Sequence, residues 1–163
     1  MTEPVPNFDH AGITRTRVEP PQGYRAIERR TRLGEGDDVR ERALATVMSW
    51  GTKTRAGFRV TPATDWVREG DRAIVTLGPM REPVEVAWVS ESGFGYVTLH
   101  GHPLRGEECF LVEMEAGGVW FVNRSVSRPA TSFWMVVSPL LRIAQWFFVR
   151  RYARVMLASA RVA

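Results

Sequence analysis

Between residues 72 and 126 the chain repeats one pattern five times, then abandons it for a single long stretch at helical spacing. The runs are RAIVTLG (72–78), EPVEVAWVS (82–90), FGYVTLH (94–100), EECFLVEM (107–114) and GVWFVNRSV (118–126). Each is bounded by Gly, Pro, Asp or Ser, and their even spacing predicts an antiparallel meander. Glu91-Ser92-Gly93 and Glu115-Ala116-Gly117 are hairpin-length joins with glycine where a positive φ is needed. Ser138-Pro139 then reads as a cap and a first-turn proline, opening a helix that runs to about residue 160. Leu140, Ile143, Ala144, Phe147, Arg151 and Val155 share one broad face of it. Trp146, Phe148 and Tyr152 widen that face, so the expectation is a helix covered on more than one side.

Upstream, residues 1–22 carry Pro4, Pro6, Pro20 and Pro21 and read as an extended arm, leaving 23–163 as one domain. A first strand is expected over 23–34. Asp37 or Asp38 would cap the helix DVRERALATVMSW, with Gly51 as its stop and 57–71 as loop. The order strand, helix, meander, long helix predicts an α+β helix-grip fold. In it a curved antiparallel sheet of about six strands wraps the C-terminal helix. A curved sheet cannot close tightly on a straight rod, so a cavity between the two is expected. Trp88, Phe94, Tyr96, Phe110, Trp120, Trp134, Trp146, Phe147 and Tyr152 would line that cavity or simply fill the core.

Composition removes several function classes. A chain of 163 residues that is 44% hydrophobic makes one ordinary domain. The formal charge is +4, yet the basic residues are interleaved with acids through much of the chain, which does not predict nucleic-acid binding. All but one of the basic residues are arginine, a bias that codon usage alone can produce; Lys53 is the only lysine. With Cys109 as the single cysteine no intrachain disulfide forms, and a reducing, cytoplasmic location fits. No secretory signal is visible at the N-terminus. The run SFWMVVSPLLRIAQWFFV is broken by Pro139, Arg142 and Gln145, so a buried helix is expected and no transmembrane segment.

The polar cluster is GYVTLHGHPLRGEECF (95–110). His100 and His102 stand at strand spacing, but zinc takes three or four ligands and no third is at hand, so neither metal nor cofactor is expected. Glu107 and Glu108 face opposite ways on a strand, and one of them could pair with His102 across the hairpin. The plainest reading is a structural hairpin; an acid–base or ligand-orienting His102–Glu107 pair is the sharper one. There is no phosphate loop and no GxSxG elbow, and Cys109 sits mid-strand as a buried, inert thiol.

These residues carry a resemblance that runs almost end to end. PQGYRAIERRTRLGEG (21–36), AGFRVTP, EGDRAIV, GFGYVTLHGHPLRGEECFLV (93–112) and the C-terminal SVSRPATSFWMVVSPLLRIAQWFFVRRYARVML all resemble uncharacterised protein family 0548, found in bacteria and plants. The motif residues are Tyr96, Thr98, Leu99, Gly101, His102, Pro103, Gly106, Glu107, Glu108 and Phe110, with Ser127-Arg128-Pro129 later. Val97 and His100 depart from the family pattern, which removes His100 from any shared role. The resemblance implies no reaction. By fold analogy with START-like proteins it implies a pocket for a small apolar or cyclic molecule.

Three functions follow as expectations. The first is small-molecule binding with Tyr96, Thr98, Trp120, Arg128, Trp146 and Tyr152 as ligand contacts. The second is an enzyme of polyketide-cyclase-like type using His102 as general acid/base, held by Glu107. The third is a membrane-peripheral or protein-interaction module built on the arginine-rich end of the last helix.

Overall fold

The computed structural model describes residues 4–161. Its elements run α1 (Ile13–Thr16), β1 (Arg25–Glu35), α2 (Asp37–Met48), α3 (Gly51–Thr54) and β2 (Arg59–Thr61). There follow β3 (Arg72–Leu77), β4 (Met80–Ser90), β5 (Gly93–Thr98), β6 (Leu104–Glu115) and β7 (Gly118–Pro129), then α4 (Ser132–Val136) and α5 (Ser138–Arg161). The strands form one antiparallel sheet in the order β1-β7-β6-β5-β4-β3-β2. The fold is helix-grip, as the element order predicts, with seven strands where about six are expected. The extra strand, β2, lies in the stretch read as loop: three residues with Val60 buried between exposed neighbours are too short to show a period.

Register shifts at Arg32/Gly34 and Val86/Trp88 interrupt the ladders and let the sheet curve. The five alternating runs give the sheet two chemically distinct faces. Phe94, Tyr96, Phe110, Val112, Val119 and Phe121 point to the helix side, where they join Val47, Met48, Trp50, Tyr152 and Met156 in the main core. Trp88, Cys109, Leu111 and Val122 point outward. Next to them Phe8 and Ile13 of the N-terminal segment cover Val97 and Val126. Gly95 permits this packing, because a Cβ there would stand 2.4 Å from the Trp88 indole.

Two helical expectations change. The break after α2 falls at Trp50, which adopts φ 60, and Gly51 begins the next turn instead of stopping the helix. Gly51 is needed there because a Cβ would lie 2.6 Å from the Thr46 carbonyl oxygen. The α2 N-cap is Gly36, with Asp37 and Asp38 in the first turn, where acids suit the helix dipole.

The long helix is buried on one side only. Tyr152, Ala153, Met156 and Ala160 pack into the core, whereas Leu140, Ile143, Trp146 and Phe147 face solvent. The expected cover on several sides is therefore absent from the N-terminal half of α5, because no element of the described residues packs over that face. Among the described residues no helix is long and apolar enough to cross a membrane.

Candidate functional site

The kink at Trp50 places the chain's only lysine. The Trp50 carbonyl accepts from Lys53 N at 3.0 Å, and the Lys53 carbonyl accepts from Phe58 N at 3.1 Å, so Lys53 sits in a tight turn facing the sheet. Its side chain is 4% exposed. A buried ammonium must be paired. Here Nζ donates to Glu108 Oε2 at 3.1 Å and to the Tyr152 hydroxyl at 2.8 Å. Tyr96 donates to the same Glu108 oxygen, and Asn123 Nδ2 donates to Glu108 Oε1 at 3.1 Å. Four rings close around the cation: Phe58 at 4.9 Å, Tyr152 at 5.0 Å, Tyr96 at 5.4 Å and Phe110 at 5.6 Å. Residues from α3, β5, β6, β7 and α5 thus meet at one charge pair.

The electrostatics follow from this geometry. Burial works against the charge on Lys53, but Glu108, with Tyr152 and Tyr96, overrides it and holds the ammonium well above its ordinary pKa. Burial, reinforced by Glu108, raises the phenols of Tyr96 and Tyr152. Glu82, facing the same space from β4, is pushed up by burial against the pull of Lys53, with Glu108 adding to the rise. The site therefore offers one fixed cation, hydroxyl groups and a second carboxyl biased toward its neutral form.

Beside this cluster, between the sheet and the first half of α5, lies a cavity of about 150 Å³. Lys53, Glu82, Tyr96, Glu108 and Tyr152 form its polar end, while Phe58, Leu77, Met80, Leu141 and Phe148 supply apolar wall. Space of this size holds about one benzene-sized ring.

Of the residues expected from the sequence, Tyr96, Thr98, His102, Glu107 and Tyr152 border the cavity, although the Glu107 carboxylate is engaged elsewhere. Thr98 already has its hydroxyl committed: Oγ1 donates to Asn7 Oδ1 and accepts from Gly106 N at 2.9 Å. His102 and Glu107 do not form the expected pair. Alternation on β6 turns the Glu107 carboxylate outward, where it accepts from Gly12 N at 2.5 Å, Thr14 N at 2.9 Å and Trp88 Nε1 at 3.1 Å, and also from the Thr14 hydroxyl. His102 Nδ1 accepts from Leu104 N at 2.9 Å inside its own turn, which leaves the ring proton on Nε2. Burial first, then the Lys53 charge, lowers its pKa to about 3, so the ring is neutral through the physiological range and not poised near 6.5.

The remaining expectations fall outside the cavity lining. Arg128 lies over the Tyr24 ring at 4.8 Å, in a neighbouring depression. Trp120 is half-buried on the outward face beneath Arg30. Trp146 is 59% exposed. Cys109 is fully buried, and burial pushes its thiol up to about 12. Among the described residues no three His, Cys, Asp or Glu side chains are grouped as a metal centre requires.

Sequence reasoning gives no site role to Lys53, Glu82 or Asn123, and of the two adjacent glutamates it favours Glu107 over Glu108. The signal for the first was its singularity, which codon bias explained away. The signal for Glu108 was strand alternation, which leaves one of two adjacent glutamates facing the helix.

Comparison with known proteins agrees with this architecture. A hypothetical protein of Helicobacter pylori superimposes with a TM-score of 0.63 at 8% identity, covering 85% of this chain and 88% of the other. The major latex-like protein 151 of Panax ginseng gives 0.56 at 10% identity over 86% and 99%. At these identities the likeness is one of fold. A UPF0548 protein of Deinococcus radiodurans is 34% identical over 163 aligned positions, covering 86% of this chain and 80% of the relative. Residues 7–155 match the family described as Domain of unknown function (DUF1990). On that match and that relative, the chain belongs to the DUF1990 family.

Proposed function

We propose that this domain binds a small apolar or cyclic molecule in the cavity between sheet and α5, with a polar substituent turned toward Lys53, Glu82, Glu108 and the two tyrosines. The observation that carries the reading is an apolar space of ring size that ends on a buried, fully charged lysine. Pockets of this kind pair mostly apolar walls with a few convergent polar groups. A ligand hydroxyl or carbonyl at that end would meet preorganised donors and acceptors in a low dielectric, where each hydrogen bond is strong. Anything larger than one ring would require the first half of α5 to move outward. A cytoplasmic setting, in which Cys109 stays reduced, belongs to the same reading.

Two features argue against chemistry driven by His102. Its imidazole has no carboxylate partner, and its pKa of about 3 leaves it a poor proton acceptor at neutral pH. Binding is therefore favoured over acid–base catalysis at this residue.

The test is native mass spectrometry of freshly purified protein beside a denatured sample. An organic adduct that is lost on denaturation, and that is weakened in Leu141→Trp, which fills the cavity wall, is the expected result. A clean mass, together with no thermal stabilisation by a panel of single-ring phenols and ketones, overturns the reading.

A further inference from the structure

Eleven large hydrophobic side chains are exposed among the described residues, and seven of them fall between residues 133 and 147. Val136 is 81% exposed and Phe133 65%, both from α4. On α5 the exposed residues Leu140, Ile143 and Phe147 follow the three- and four-residue spacing of one helical stripe. Arg150 and Arg154 continue that same stripe toward the C-terminus, and Trp146 flanks it with Arg150 at 4.0 Å over its ring. The opposite face of the helix carries the core residues, so the stripe is not needed for folding.

The charge around this stripe has one sign. No acidic residue follows Glu115, whereas seven arginines do; up to and including Glu115, eighteen acids outnumber fifteen basic residues. Among the described residues Arg142, Arg150, Arg151 and Arg154 are exposed and none is ion-paired. An apolar band with tryptophan at its margin, continued by unpaired arginines, matches the profile of a helix lying at a membrane interface. The apolar band suits the acyl boundary, and the arginines suit anionic headgroups. A second copy of this chain fits less well, because an isologous pairing of the stripe brings arginines together with no carboxylate to neutralise them.

We propose that α4 and the solvent face of α5 dock this protein onto an anionic lipid bilayer, with Phe133, Val136, Leu140, Ile143 and Phe147 in the interface and Arg150 and Arg154 on the headgroups. The docking face is the outer side of the wall that closes the cavity, since Leu141, Ala144 and Phe148 of the same helix line the interior. Docking stands whether or not the cavity binds a ligand.

Co-sedimentation with vesicles tests it, comparing phosphatidylcholine alone with an equal mixture of phosphatidylcholine and phosphatidylglycerol. The full chain is expected to bind the anionic vesicles, and to bind the zwitterionic ones far less. Each headgroup-facing arginine contributes about fivefold, so Arg150→Gln with Arg154→Gln lowers partitioning about 25-fold. Ile143→Ser with Phe147→Ser abolishes it, and both double variants keep the wild-type melting temperature because the side chains lie outside the core. Raising salt to the molar range, where charges are screened beyond about 3 Å, weakens binding of the wild type. Three results overturn the proposal: no binding to anionic vesicles, binding unaffected by both double variants, or a concentration-dependent dimer that the serine variants abolish while vesicle binding is absent.

Discussion

Lys53 Nζ and Glu108 Oε2 lie 3.1 Å apart across a sequence separation of 55 residues, and they join the short α3 turn to the middle of the sheet. Removing one member of such a pair strands the other charge in the interior, which costs about 3 kcal/mol. Lys53→Met and Glu108→Gln should each destabilise by roughly that amount, and the double variant by much less than their sum. A urea double-mutant cycle measures the coupling, and a value near zero contradicts the pairing.

Glu107 does a different job from its neighbour. It holds the N-terminal segment to the outer face by accepting from Gly12 and Thr14, while Trp88 of β4 donates to the same carboxylate. Hydrogen bonds to a buried charge are worth about 1.5–3 kcal/mol. Glu107→Gln should therefore lower stability by about 2 kcal/mol and speed tryptic cleavage at Arg15 and Arg17, without changing affinity for a cavity ligand. Loss of ligand affinity with an intact arm would move Glu107 into the site.

His102 makes stability depend on pH in the acidic range. Its folded pKa is about 3 against an ordinary 6.5, so the unfolded chain binds the proton more readily. The contribution of the neutral ring is fully present above 6.5 and is lost as pH falls toward 3. His102→Asn should flatten the urea midpoint against pH across that window. Lys53 acts in the other direction: its contribution is present below 10.5 and is lost only as pH rises through its elevated folded pKa. A resonance assigned to the His102 imidazole that titrates near 6.5 would contradict its burial.

Cys109 should report global unfolding. Its thiol is fully buried and pushed up to about 12, so a disulfide reagent at neutral pH should label it only after the sheet opens. Labelling at the rate of a free thiol in native buffer is the contrary outcome.

The parts of this molecule that were legible in the sequence are those with a period. Alternation marked β3 to β7 because each strand has one face on the core, and Ser138-Pro139 marked the start of α5. β2 was not legible, since three residues show no period. The kink at Trp50 escaped because a left-handed tryptophan is a tertiary compromise that no local propensity announces. Helical spacing also cannot separate a covered apolar stripe from a bare one, so Leu140, Ile143 and Phe147 were expected inside and are found outside. At the site, Tyr96 and Tyr152 were found by their aromatic character, while Lys53 needed the fold to bring it to Glu108.

Because Lys53 is the only lysine, labelling the protein with nitrogen-15 at lysine Nζ yields a single side-chain resonance from the centre of the site. Titration with phenol, a one-ring probe with a hydroxyl, then reads whether the cavity beside Lys53 takes a ligand. The expected result is one ammonium signal that does not titrate at 10.5 and that shifts saturably as phenol enters the cavity. A signal that titrates like a free lysine and ignores phenol would contradict it.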